Sequence, residues 1–418
     1  MNVDEDRLRA DIEASAEHGE VAVEEGRGRT VLTGTGADRG AREHLVERME
    51  DAGLDVTVDA VGNIAGTWTP ESADPDAAPV AAGSHVDSVP EGGIFDGPLG
   101  VYAALEAVRA MQDADVEPTR PLVVVCFTEE EGQRFSGLLG SSVAVGKRTV
   151  DEALALEDEE GVALGDALDA IGFSGKGRLD ASEWDAWYEL HIEQDTRLER
   201  EGVPVGVVTT ITGITHCEVE VVGEANHAGA TPMDERTDAL AAASEIVLDV
   251  EAAANDVVTE ESETAVGTVG SLSVSPNATN VVPGRVEMGV DIRDIDYQSM
   301  QTIVEATRAS LGVVEADRGV ETSLERPFDL EPTPMSDTLR ATAHRAGETA
   351  GIRTIDLHSG AAHDTMHIAD VTDASLLFSP SKDGISHNPR EWTDWEDCAK
   401  ATRVLAGAMA DAAGADGQ

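Results

Sequence analysis

Lysine is almost missing from this sequence, with four residues in 418. Arginine brings the basic total to 29 against 82 acidic side chains, so the formal charge is −53. A surface so charged repels nucleic acid and anionic membranes, which removes both from the expected partners. Aromatic residues make up 3% of the chain, so its cores must be built from Val, Ile, Leu and Ala. No apolar run approaches the roughly 20 residues that cross a bilayer. The opening residues, MNVDEDRLRADIEASAEHGE, are acidic and lack the apolar segment of a secretory signal. Cys126, Cys217 and Cys398 are an odd, scattered set, which argues for reduced thiols in a cytoplasm rather than a disulfide framework.

What remains is acid spread among periodic apolar positions. A long acidic block would suggest disorder, but interleaved acids belong to solvated faces of folded elements. The expectation is a folded protein adapted to a salt-rich cytoplasm, where screening suppresses self-repulsion. A single core rarely grows past roughly 250–300 residues, so 418 residues imply two domains.

From residue 80 the pattern reads strand, loop, helix, strand. PVAAGSHVDSV enters a polar loop, GVYAALEAVRAM has helical spacing, and RPLVVVCFTEEEG is a continuous apolar run of the kind buried on both faces of a sheet. In open α/β sheets ligands bind beyond the carboxyl ends of strands, and the acidic clusters of both stretches lie at such ends. The middle of the chain changes character. THCEVEVVGE, TDALAAASEIVLDVEAAA, AVGTVGSLSVS, RVEMGVDIRD, YQSMQTIVEATRASLG and VETSLERPFDL give the order β-α-β-β-α-β, a split βαβ unit. The fold class expected is α/β. Residues 1–211 and 331–418 would form one domain, and 212–330 an inserted ferredoxin-like one.

Several chemically able groups stand at ends of apolar runs: His85 and Asp96, Glu129–Glu130–Glu131, His191, His227 and His363. Nitrogen and carboxylate ligands of this mix suit Zn²⁺, Mn²⁺ or Co²⁺. Two histidines and two or three carboxylates serve a two-metal hydrolytic site with ions about 3.5–4 Å apart. Taken singly, each residue has an ordinary reading. A lone histidine is more often a satisfied polar group, TEEEG could be a solvated strand end, and Asp96 could cap the helix that starts near Leu99.

The stretch GSHVDSVPEGGIFDGPLG, with FTEEEGQRF, ELHIEQ, NHAGATPM, NATNVVPG…DIRD and SGAAHD…GISHNP, resembles the amidase/hydantoinase/carbamoylase branch of the dinuclear-metal M20 peptidase family, over residues 30 to 395. That branch includes N-carbamoyl-L-amino acid hydrolases, β-ureidopropionases and allantoate amidohydrolases. The resemblance implies two divalent cations per subunit, Zn²⁺ or Mn²⁺/Co²⁺. His85, Asp96 and His191 would hold one, and Asp96 would bridge to a second held also by Glu131 and His363. Asp87 would orient His85 from behind. Glu130 would be the general base and Glu129 a strand-end charge; shifted by one residue, Glu129 would be the base and Glu130 the ligand.

The resemblance further implies that His227 donates a hydrogen bond to the developing oxyanion. Asn280 and Arg293 would grip a substrate carboxylate, Arg by its planar fork. Without the resemblance, Arg293 could instead form a surface ion pair with Asp291 or Asp294. Gln194 and His216 would line the pocket, while His387 matches a motif with no role assigned. Two positions depart from the family pattern: Asp195 stands where HIEQG has its glycine, and Ala362 where SGAGHD has its second.

The activity implied is hydrolysis of an N-carbamoyl-L-amino acid to the amino acid, ammonia and carbon dioxide, with the small domain closing as a lid. Allantoate is the alternative substrate, with β-ureidopropionate or another N-acyl amino acid behind it. An exopeptidase of the wider family is a further rival. A catalytically silent metal-binding scaffold is the rival from another class; its signature would be loss of Glu130, which is present. The expected partners are a small molecule with a free carboxylate and a second copy of the chain, paired through the inserted domain.

Overall fold

The structure, a computed structural model, describes residues 1–415. The chain divides into two compact units, one made of Met1–Thr209 with the segment from Pro334 onward, the other of Thr210–Thr333.

The first unit holds helices α1 (Glu5–Ala16) and α2 (Gly36–Asp51), strands β1 (Asp55–Val58), β2 (Ile64–Trp68) and β3 (Val80–His85), helix α3 (Pro98–Asp113), and strands β4 (Leu122–Phe127), β5 (Ala186–Ile192) and β6 (Val205–Ile211). β3, β4 and β5 are buried along their whole length, as continuous apolar runs predict for parallel strands covered on both faces. Each Val or Leu side chain buried there contributes about 1.5–3 kcal/mol. Helix α3 is buried nearly all round, because its alanines let it press on β3 and β5 with one side and on neighbouring helices with the other.

The second unit runs β7 (Gly213–Val222), α4 (Ala239–Glu260), β8 (Val266–Ser275), β9 (Arg285–Asp294), α5 (Tyr297–Arg318) and β10 (Glu321–Leu330). This is the β-α-β-β-α-β order read from the sequence. The sheet is antiparallel in the order β8-β9-β7-β10. Cys217, Val219 and Val221 of β7 alternate inward with Val286, Met288, Val290 and Ile292 of β9, and both rows meet Ile246, Val250, Met300 and Ile303 on the helices. The intervening residues carry charge outward, among them Glu220, which pairs with Arg285 at 2.6 Å.

The chain then returns to the first unit through α6 (Asp337–Ala350), β11 (Thr354–Ser359), β12 (Ala374–Ser379) and α7 (Trp395–Ala412). Its mixed sheet has the order β6-β12-β5-β3-β4-β2-β1, with β11 beside β6. The four central strands β12, β5, β3 and β4 are parallel, and the flanking β2, β1 and β6 pair antiparallel. The three cysteines are free and buried. Among the described residues no helix is long and apolar enough to cross a membrane.

Candidate active site

The register of the parallel strands brings their carboxyl ends level. His85 at the end of β3 lies opposite Phe127 at the end of β4, and His191 on β5 lies opposite Phe378 on β12. The loops leaving these ends therefore converge, and they carry nearly all the groups singled out in the first unit.

His85 and His191 are held alike. Nδ1 of His85 lies 3.1 Å from the Asp87 carbonyl oxygen, and Nδ1 of His191 lies 3.1 Å from that of Ile192. With the Nδ1 proton donated to a carbonyl, each ring offers its Nε2 lone pair, the tautomer a metal ligand needs. Both Nε2 atoms face Oδ1 of Asp96, at 3.7 Å for His85 and 3.2 Å for His191. Gly97 permits the approach: at φ +81° it is in the left-handed region, and a Cβ there would lie 2.5 Å from Cε1 of His85.

The other oxygen of Asp96 faces a second group. Oδ2 accepts from Nε2 of Gln194 at 3.0 Å and from Oγ of Ser386 at 2.9 Å, and lies 3.5 Å from Nε2 of His387. That nitrogen is 3.4 Å from Oε2 of Glu131. Two sets of potential ligand atoms thus share Asp96: His85, Asp96 and His191, and Asp96, Glu131 and His387. His363, the histidine expected in the second set, is not in it. Its Nε2 lies 3.1 Å from Oγ of Ser359, and its ring packs edge-on against His191 at 4.7 Å between centroids. This imidazole is buried between His191 and Phe378, whereas the segment after β12 brings His387 beside Asp96 with half of its side chain still exposed.

The glutamates also separate. Glu129, expected as a strand-end charge, is buried at φ +57°, and its Oε1 accepts the backbone N–H of Arg134 at 2.6 Å and of Phe135 at 2.7 Å. It closes its own loop and is in neither ligand set. Glu130 faces it, with Oε2 3.7 Å from Nε2 of His85. Asp87 does more than stand behind His85: its two carboxylate oxygens accept the N–H groups of Glu130 at 3.3 Å and Glu131 at 3.1 Å. Gln194, expected in the pocket wall, spends its amide on Asp96 and Ser386.

So many acids in one buried place disturb each other's protonation. Burial, then the charge of Asp96, pushes the Glu131 carboxyl up to about 8. Burial raises Glu130 well above the usual carboxylate range against the opposing pull of His85, and neighbouring Glu131, Asp364 and Asp87 add to the rise. Burial alone would lower His85, yet the charges of Glu130, Asp87 and Glu131 raise it well above an ordinary imidazole. Asp96 moves down despite its burial because His191 and His85 lie against it. This is a strongly negative pocket that needs positive charge, as protons or as cations.

In the second unit the expected residues form two places. His227 pairs with Val281 in a two-residue ladder, and the Asn280 carbonyl accepts the N–H of Ala228 at 2.9 Å, so His227 and Asn280 share one exposed loop pair. On the sheet, Asp291 of β9 accepts from Nε of Arg293 at 2.9 Å and from its Nη2 at 3.2 Å, and lies 3.0 Å from Nε2 of His216. Arg293 thus does make the ion pair with Asp291 that a reading of residues alone allows.

Residues not singled out from sequence complete the first unit's cluster. Arg29, Glu189 and the pair Ser386 and Glu391 come from three distant parts of the chain; Glu189 opens the ELHIEQ stretch and Ser386 lies in GISHNP, but neither residue drew a role, and nothing marked Arg29 or Glu391. Glu189 is buried on β5 and accepts from Oγ of Ser84 at 2.7 Å and Oγ1 of Thr365 at 2.6 Å, tying β5 to the strand that ends in His85 and to the segment that follows His363. Arg29 is buried and donates to the carbonyls of Val86 at 2.7 Å and Asp87 at 3.3 Å.

Comparison with known proteins gives consistent results. The profile of the Peptidase family M20/M25/M40 matches residues 81–411. The chain is 39% identical to the N-carbamoyl-L-amino acid amidohydrolase of Geobacillus stearothermophilus, covering 93% of this chain and 94% of that one. It is 33% identical to the allantoate amidohydrolase of Bacillus subtilis (strain 168), covering 85% and 86%. Among solved structures, an amidase of the hydantoinase/carbamoylase family from Burkholderia multivorans superposes with a TM-score of 0.91 at 36% identity, over 99% of this chain and 98% of that one.

Proposed function

The chain belongs to the Peptidase family M20/M25/M40, and on that premise we propose that it is a metal-dependent amidohydrolase that cleaves the ureido bond of an N-carbamoyl-L-amino acid. The observation that carries this reading is the pair of ligand sets sharing Asp96. Their fit to cations is supported by distance. Separations of 3.2, 3.4, 3.5 and 3.7 Å between ligand atoms resemble the edges of a coordination tetrahedron, about 3.3–3.6 Å for bonds of about 2.0–2.2 Å. It is supported again by chemistry: Nε2 of His85 and Oε1 of Glu131 are buried without a hydrogen-bond partner among the described residues.

We assign one divalent cation, zinc, manganese or cobalt, to His85, Asp96 and His191, and a second to Asp96, Glu131 and His387. Bound there, the two cations supply a lowered pKa for a water and a positive field for a carbonyl oxygen. Glu130 takes a proton from the attacking water on its carboxylate and passes it to the departing nitrogen. Asp87 keeps Glu130 and Glu131 aimed by holding both amides. To the second unit we assign recognition: Arg293 and Asn280 for the substrate carboxylate, His227 for the developing oxyanion, and His216 beside Arg293.

The setting belongs to the same proposal. A charge of −53 supports a salt-rich cytoplasm. The second unit is assigned the role of an inserted lid and dimerisation domain; exposed Val266 and Leu272 on the edge strand β8 support pairing of two copies. Light scattering in molar salt that finds a monomer near 43.8 kDa would remove the dimer.

The function is tested by ammonia release from purified protein, stripped by chelator and reloaded with Mn²⁺, Zn²⁺ or Co²⁺ in high salt. N-carbamoyl-L-amino acids, allantoate and β-ureidopropionate are offered in parallel. The expected result is fastest turnover of a carbamoyl amino acid, and faster turnover of allantoate would select the second reading, which the Bacillus subtilis relative favours. Turnover of dipeptides alone would overturn both.

A further inference from the structure

Asp96 is held from one short segment near the other end of the chain. Ser386 donates to its Oδ2, and His387 lies beside the same oxygen. Four residues on, Glu391 takes hold of the backbone instead: its Oε1 accepts the N–H of Phe95 at 2.9 Å and of Asp96 at 3.0 Å. Glu391 is 2% exposed, so these bonds form where water does not compete. The fit is close on the other side as well. A Cβ on Gly93 would lie 2.2 Å from Cδ of Glu391. The Phe95 ring is wedged between Trp392 at 5.4 Å and Trp395 at 4.9 Å, which fixes the same stretch of loop from a second direction.

We propose that Glu391 is a positioning residue of the metal centre: by gripping the amides of residues 95 and 96 it fixes the backbone from which the Asp96 carboxylate reaches both ligand sets. The inference rests on the two-cation reading above. Asp96 must present one oxygen to His85 and His191 and the other to His387 and Glu131. A small rotation of its peptide would favour one set at the expense of the other. Ser386 and Gln194 steer the carboxylate, and Glu391 steers the main chain behind it. The loop between β3 and α3 is rich in glycine and would otherwise be free to turn.

The test uses the full-length metal-free protein in high salt, titrated with Co²⁺ against a chromophoric chelator and followed by the visible absorption of the bound ion. Glu391→Ala is expected to weaken Co²⁺ binding by about tenfold or more, the range seen when a group supporting a metal ligand is removed, and to change the absorption band. Glu391→Gln keeps an acceptor oxygen at the same reach and is expected to lie nearer the wild type in both readouts. Gly93→Ala, which drives a methyl into the Glu391 carboxyl, is expected to reproduce the alanine result, and it carries the test if Glu391→Ala does not fold. A purely structural role would lower the melting temperature of the metal-free protein but leave Co²⁺ affinity and spectrum unchanged. Variants with wild-type affinity and spectrum would overturn the inference while leaving the metal centre standing. Failure of the wild type to bind Co²⁺ would take both down.

Discussion

In the first unit His85, His191, Asp96 and Glu131 have almost no contact with water, with side-chain exposures between 1% and 6%. In the second, His227 and Asn280 are exposed, and His216 and Arg293 keep 49% and 36% of their side-chain surface. The first unit presses acids together until several leave their ordinary pKa. The second pairs its groups at the surface, where Asp291 accepts from Arg293 and lies beside His216. Desolvating a group of like charges is costly unless something positive joins them, so the buried cluster calls for positive charge, as protons or as cations. An exposed ion pair is worth little in water and can be exchanged for another carboxylate. The first arrangement fits the cations proposed above, and the second fits the substrate recognition proposed for Arg293 and Asn280.

The comparison breaks most completely at Asp96. Asp96→Ala, like exhaustive chelation, is expected to abolish turnover, and elemental analysis should find the bound metal lost from both sites. Retention of activity by that variant would remove the buried cluster from the chemistry. Glu130→Gln should keep the metal but lose about 10²–10⁴-fold in kcat, the worth of a general acid–base group; metal content and steady-state rates measured on one preparation separate the two effects.

In the second unit, Arg293→Ala should raise KM by roughly 10- to 150-fold, from about 1.5–3 kcal/mol of charged hydrogen bonding, with metal content unchanged. A fall in metal content there would erase the distinction between the units. The smallest expected effect sharpens the cluster itself. His363→Ala should leave the bound metal at wild-type level, whereas His387→Ala should lose one of two ions. The reverse outcome would restore His363 as the ligand.

Much of the fold was legible because it rests on local periodicity. The unbroken apolar runs at Val80 and Leu122 announced buried parallel strands, and the alternation of Cys217, Val219 and Val221 announced a strand covered on one face. The ends of those runs pointed to His85, Asp96, Glu131 and His191. Legibility stopped at side-chain direction. Glu129, Glu130 and Glu131 are identical in composition, yet the left-handed turn at Glu129 sends its carboxylate to the amides of residues 134 and 135. His363 and His387 both stand in loops beyond strands of the same sheet, and nothing local says which imidazole faces Asp96.

The sequence by itself determined the strand, helix and strand that follow residue 80, the β-α-β-β-α-β order of the second unit, the acidic character of the chain and the set of residue types that could ligate a metal. Each of these depends on neighbours a few positions away. Tertiary structure alone decided which of those residues meet. The cluster is closed by hydrogen bonds such as those from Phe95 and Asp96 to Glu391, which span about 295 residues of chain. Their partners are chosen by how β3, β4, β5 and β12 lie side by side, and no short-range pattern records that choice.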